Sequence, residues 1–216
     1  CLSDNQITKL DLLVLTHFDY DHVGGITGLG DVQVEKVLIS GFNDTREAVD
    51  VVQRFFSSKA TTLDVGYRGM TADFGGGFWE ILSPRSNASE AENANDASIV
   101  MLLSLPELQV LALGDIGQSA QQRIMNQGAQ GRISEQKPLV LKISHHGSAD
   151  QSIGFHKLLK PEISIISVGE NNYGHPDPKL IAQLKSIGSR VLRTDESGMI
   201  GIQSYPELSI FATGKL

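Results

Sequence analysis

Four times along this chain a short apolar run breaks off into a cluster of glycine with histidine or aspartate, and that repetition limits the fold more than any other feature. Residues 12–15 lead into Thr16-His17-Phe18-Asp19-Tyr20-Asp21-His22-Val23-Gly24-Gly25. Residues 108–113 lead into Gly114-Asp115, residues 139–143 into Ser144-His145-His146-Gly147-Ser148, and residues 163–168 into a Gly/Asn/Pro loop that holds His175. Short apolar runs bounded by turn residues are strand signals, so the reactive side chains collect at strand ends.

Further strands are predicted at 37–39, 78–82, 99–105, 191–193, 200–203 and 208–211. Helices are predicted over 45–57, capped by Asp44 or Thr45, and over 118–127, 153–159 and 179–187. The runs 99–105 and 108–113, and the last two runs, follow one another without a helix, which predicts antiparallel pairing. A two-sheet sandwich flanked by helices therefore fits better than a doubly wound parallel sheet. Residues 85–95 read as a loop. A chain of 216 residues with 40% hydrophobic and 20% charged content suits one domain over 1–216. The most apolar stretch, 98–113, is interrupted by Pro106, Glu107 and Gln109, so no bilayer span is expected. The first residues have neither an initiator Met nor a secretion signal, and the chain reads as a piece of something longer. A single cysteine, Cys1, rules out an internal disulfide and a thiolate metal cluster.

The first cluster packs four metal-capable side chains, His17, Asp19, Asp21 and His22, into six positions with no Lys or Arg among them. Crowding carboxylates without compensation is costly, so cations are expected to supply the balance. Asp115 sits where a carboxylate can lean across a crevice and bridge two cations, although a Gly-Asp after a strand is by itself more often a turn. In the pair His145-His146, side chains leaving an extended segment point in opposite directions, so only one ring is expected on metal. His145 is assigned to metal and His146 to chemistry. Ser148 and Gly147 beside them allow close approach to an anion. His175 reads as a general acid, a phosphate contact, a ligand or a plain turn residue. Asn95 and Ser98 are weaker candidates for contacts to substrate or to the ligands, and His156 reads as a surface or helix-packing residue. The formal charge of −7 argues against a broad phosphate-binding groove, whereas a centre of cations can hold a polyanion locally.

These segments resemble the metallo-β-lactamase superfamily, and more narrowly the domain of that kind at the carboxyl end of the ComEC family of competence DNA-uptake proteins. The resemblance rests on Thr-His-x-Asp-x-Asp-His-x-Gly-Gly at 16–25, Asn-Asp-x-Ser at 95–98, Leu-x-Leu-Gly-Asp-Ile at 111–116, Lys-Ile-Ser-His-His-Gly-Ser at 142–148 and Asn-x-Tyr-Gly-His-Pro-x-Pro at 171–178. It covers nearly the entire chain. It implies an α/β fold, an αββα sandwich, here without the amino-terminal hairpin such domains carry before the strand at 12–15. A sheet edge or face would then be uncovered.

The superfamily's commoner signature has His where this chain has Asp19, and a carboxylate there makes the first site harder, so manganese is tolerated as well as zinc. The resemblance implies two divalent ions held by His17, Asp19, Asp21, His22, Asp115 and His145, with Asp21, His146 and His175 serving catalysis and Asn95, Ser98 and Ser148 facing substrate. The implied activity is a phosphodiesterase or nuclease acting on DNA during uptake. The parent protein would lie in a bacterial cell membrane as part of an uptake complex, with this domain soluble and extracytoplasmic. Two other readings stay open: a hydrolase of small phosphodiesters or other esters on the same metals, and a metal-bound DNA-binding module without catalysis.

Overall fold

The structure is a computed structural model that describes residues 2–215; Cys1, the lone cysteine, lies outside the described residues. In chain order, β1 (Lys9–Leu10) and β2 (Leu13–Leu15) precede α1 (Tyr20–Val23), and β3 (Gln33–Val34) and β4 (Val37–Ser40) lead to α2 (Glu47–Ser58). Five strands follow: β5 (Leu63–Gly66), β6 (Thr71–Phe74), β7 (Gly77–Ser83), β8 (Val100–Ser104) and β9 (Gln109–Ala112). Then come α3 (Gln118–Asn126), β10 (Leu139–Lys142), α4 (Ile153–Leu159), β11 (Ile163–Ile166), α5 (Pro178–Ser186), β12 (Arg190–Arg193), α6 (Thr194–Ser197) and the hairpin β13 (Ile200–Gln203) and β14 (Ser209–Ala212).

Two sheets dominate. One has seven strands in the order β12-β11-β10-β9-β8-β7-β6, and the other has three, β2-β4-β5. In the large sheet β9 to β12 run parallel and β6 to β9 antiparallel, so the pairing of 99–105 with 108–113 is antiparallel as expected. The small sheet is parallel throughout, with β2 at its edge.

The period of two in the strands decides the layers. On β8, Val100 and Leu102 face the helices α3, α4 and α5, while Met101 and Leu103 face the small sheet. On β4, Leu38 joins that inter-sheet core with Trp79, Ile81 and Ile99, while Val37 turns outward to Val52 and Phe56 of α2. The order of layers is therefore helix, sheet, sheet, helix. Beyond β8 the inner face of the large sheet meets the β13–β14 hairpin instead, where Val140, Ile163 and Leu192 pack near Ile200, Ile202 and Ile210. Burying a large aliphatic side chain contributes about 1.5–3 kcal/mol, so these shared faces fix the arrangement.

Two boundaries differ informatively from the sequence reading. Helix α2 begins at Glu47 after Arg46, not at 45, because Asp44 spends its carboxylate on the Arg46 backbone N–H and guanidinium instead of on a first helical turn. Helix α5 starts one residue early, at Pro178, where a missing N–H costs nothing; Asp177 accepts from the N–H of Lys179 and Leu180. His156 is buried on α4 and not on the surface, so of its two expected places the packing one is occupied.

Candidate metal centre

The small sheet delivers the first cluster. Strand β2 ends at Leu15, and the chain runs through buried His17 to Asp19, which stands at the N-terminus of the short helix α1. That one turn carries Asp21 and His22. Nδ1 of His17 lies 3.1 Å from Thr16 Oγ1 and 3.2 Å from Ser98 Oγ, which leaves Nε2 aimed inward. The His17 and His22 rings are 4.2 Å apart. Burial pushes the His17 imidazole down to about 4, helped by His22 and opposed by Asp115, Asp19 and Asp21. A neutral imidazole is the form that ligates metal.

The large sheet delivers the rest. After β9 the chain turns at Gly114, whose φ is +56° and whose missing Cβ would come within 2.6 Å of Ser98 Cβ. Only glycine fits that approach. Asp115 follows, its N–H donating to Ser98 Oγ at 3.1 Å, so one buried hydroxyl braces both His17 and Asp115. The Asp115 carboxylate reaches 3.2 Å from His22 Nε2, 3.6 Å from His146 Nε2 and 4.0 Å from His17 Nε2. Burial alone would raise its pKa. The close approach of His22 and the attraction of Lys142, His22 and His146 outweigh burial and hold it well below the usual carboxylate range.

The pair His145-His146 departs from the sequence expectation. Neither residue is extended: φ is 47° at His145 and 50° at His146, so the alternation of an extended segment does not apply. The turn sends His146 toward the first cluster, with Nε2 3.1 Å from Asp21 Oδ2. Its Nδ1 lies 2.7 Å from the carbonyl of Ser167, which can only accept, so Nδ1 carries a proton and Nε2 is the nitrogen that can offer a lone pair to a cation. Metal-ligating histidines are oriented in this way. His145 turns aside to His175, with 5.5 Å between ring centroids, and is not among the groups of converging donors. Those groups are His17, His22 and Asp115, and Asp21, His22 and His146. The Nε2 atoms of His17, His22 and His146 and Oδ1 of Asp115 are buried without a hydrogen-bond partner among the described residues.

Among the other expected residues, Ser98 is fully buried and touches ligand candidates, not the open cleft. Asn95 lines that cleft beside Asp19, Asp115 and His145. Ser148 is buried with its hydroxyl unpartnered, and its N–H donates to the His145 carbonyl. Burial, together with the neighbouring His145 and His146, lowers the pKa of His175.

Two cations were missed. Arg46, on the loop after β4, contacts the Asp19 carboxylate, and Lys142, at the end of β10, sits 3.8 Å from Asp115 Oδ1 and 3.3 Å from the Gly114 carbonyl. The first cluster lacks Lys and Arg only along the sequence; the fold brings them from two other strands. The signal was available, because the run at 37–39 also breaks into a polar loop, Asp44-Thr45-Arg46, and the parallel small sheet sets that strand end beside the end of β2.

No family model matches the chain. It is 32% identical over 204 residues to ComE operon protein 3 of Bacillus subtilis (strain 168), 26% identical over 198 residues to competence protein ComA of Neisseria gonorrhoeae, and 26% identical over 200 residues to recombination protein 2 of Haemophilus influenzae. These alignments cover 92%, 90% and 92% of the chain but 25%, 25% and 23% of the relatives, so the chain spans about a quarter of their length. Among solved structures, a variant of the β-hydroxylase CmlA superposes with a TM-score of 0.56 at 13% identity over 86% of this chain and 43% of that one. The metallo-β-lactamase fold protein YhfI from Bacillus subtilis gives 0.52 at 12% identity over 85% and 74%. No helix among the described residues is long and apolar enough to cross a membrane. The sheet order, the strand-end cluster and these likenesses together make the chain a metallo-β-lactamase-fold homologue of one quarter of the competence proteins typified by ComE operon protein 3.

Proposed function

We propose that this chain is a phosphodiester hydrolase that holds two divalent cations, zinc or manganese, and cuts DNA strands during uptake. The observation that carries the proposal is the convergence of three buried imidazole Nε2 atoms on one buried carboxylate, none of the three with a hydrogen-bond partner among the described residues. Unpaired buried polar groups cost about 1–3 kcal/mol each, and bound cations remove that cost. His17, Asp19 and Asp115 would hold one cation, Asp21, His22 and His146 the other, with Asp115 shared. A pair of such ions supplies an activated water at neutral pH and stabilises charge on phosphoryl oxygens.

The chain's own groups do the remaining work. Ser98 and the Ser167 carbonyl fix ring orientation. His145 and His175, ring against ring at the rim, are the groups available to protonate the leaving oxygen, while Asn95 lines the cleft. Tyr20 and Tyr173, each 82% exposed and each next to a site loop, offer faces on which bases stack, which favours a nucleic-acid strand over a small ester. By likeness to the competence relatives, the parent is membrane-embedded in an uptake complex, with this unit outside the cytoplasm.

Purified protein supplied with manganese or zinc should cleave a single-stranded oligonucleotide and bis-nitrophenyl phosphate, and Asp115→Ala should abolish both. Unchanged turnover in that variant would sink the mechanism. Oligonucleotide affinity that ignores salt would point to a small ester instead, because phosphate contacts weaken steeply as salt rises. Bound metal and retained DNA without cleavage under any cation would leave a binding module.

A further inference from the structure

We infer that Arg46 positions the substrate, gripping a non-bridging phosphate oxygen beside the cation sites; this rests on the phosphodiester reading above. Arg46 is held as a fixed fork. Its Nε donates to both oxygens of Asp44, at 2.9 and 3.0 Å, Nη2 donates to Asp44 as well, and Nη1 donates to Asp19. The Asp44 side chain is only 5% exposed, so its anchor is part of the packed structure, while the Arg46 side chain remains 45% exposed. The Arg46 hydrogen bonds charge Asp44 fully, lowering its pKa against the effect of burial.

A guanidinium has five N–H groups, and the bonds among the described residues occupy three. One N–H on each Nη is left over to donate to a phosphate oxygen. The fork looks into a cleft of about 440 Å³ that also exposes Asn93, Asn95, Gly117 and His145. Asp19, Asp96, Asp115 and Asp150 line the same cleft, and Arg46 is the one Lys or Arg among its described lining residues. An entering phosphodiester meets four carboxylates there and needs this charge. Asp19 divides its oxygens to suit, Oδ1 on Arg46 and Oδ2 3.7 Å from His17 Nε2, so holding the arginine leaves the other oxygen free for a cation.

The test uses metal-loaded protein with inorganic phosphate as the equilibrium probe and bis-nitrophenyl phosphate as the kinetic one. Arg46→Ala should weaken phosphate binding by at least about 10-fold and raise KM by a similar factor, since a charged hydrogen bond is worth that much. Metal equivalents should stay as in the parent protein, kcat should fall less than KM rises, and Arg46→Lys should recover part of the loss. Unchanged phosphate affinity in Arg46→Ala at full metal content overturns the proposal. Loss of a metal equivalent with kcat reduced and KM constant overturns it too, making Arg46 a strut for Asp19. If the parent protein cleaves no diester yet binds phosphate in an Arg46-dependent way, the hydrolase reading fails and this one stands.

Discussion

Three strand ends supply the candidate centre, and two of them, those of β2 and β10, are built by opposite means. Residues 16–22 leave β2 and wind straight into α1, so local spacing gathers His17, Asp19, Asp21 and His22, while Ser98 and Arg46 hold His17 and Asp19 from outside. Residues 144–147 leave β10 through two successive left-handed, non-glycine residues, each costing on the order of 1–3 kcal/mol. The neighbours hold that turn. Ser144 Oγ donates to the Ile116 carbonyl at 2.7 Å, the His145 N–H to the Gly114 carbonyl at 3.2 Å, and Gln151 Nε2 to the Ser144 carbonyl at 3.0 Å. The first segment gathers its side chains locally; the second places one ring only because the end of β9 and the loop before α4 are already in position.

The sharpest way to break this contrast is to remove each member of the histidine pair. His146→Ala should cost more than the 10–100-fold typical of a lost supporting partner, in both metal affinity and turnover, whereas His145→Ala should stay within that range. Equal losses, measured by metal titration and steady-state kinetics, would mean that the left-handed turn does not select between them.

A second comparison probes the backbones. Gly147 has φ +81°, and a Cβ there would lie 2.6 Å from Pro176 Cβ; at Gly25, φ is −85° and nothing lies within 4 Å. Gly147→Ala should lower stability by about 2–3 kcal/mol, and Gly25→Ala by less than about 0.5 kcal/mol. Thermal unfolding of the two variants checks this, and similar melting temperatures would refute it.

The smallest effect lies behind the second segment, on α4. Burial holds His156 at about 4 against 6.5 for the free side chain, and both its ring nitrogens lack partners among the described residues. A folded-state pKa below the unfolded one means that the unfolded chain takes up the proton first. Stability is therefore intact above pH 6.5 and falls as pH drops from there toward 4. Between pH 7.5 and 5.5 His156 should account for about 1 kcal/mol of loss, and His156→Leu should flatten urea-unfolding midpoints over that window. An unchanged slope would place the acid sensitivity elsewhere.

Legibility in the sequence followed the same divide. Strands with a strong apolar run, such as β8 and β10, could be read within a residue or two, as could α4, because alternation and helical period survive without knowledge of the fold. Strand β6, Thr71–Phe74, is exposed along its whole length, and β5 carries Asp64 and Gly66, so neither shows an apolar signature. The fold gathers His17, His22 and Asp115 in one group and Asp21, His22 and His146 in another. The orientation of His146 depended on φ values that spacing cannot encode, and the contributions of Arg46 and Lys142 on contacts 27 residues apart in both cases.

The inter-sheet core has a consequence for how the two halves cohere. The imidazoles and carboxylates of residues 17–22 hang from the small sheet, and Asp115 and His146 from the large one, so any cation shared by them is a clasp closing the open rim of the sandwich. Chelation would then loosen more than a reaction centre: the rim where the sheets meet should breathe first, with Leu38 and Ile99 as the hinge behind it.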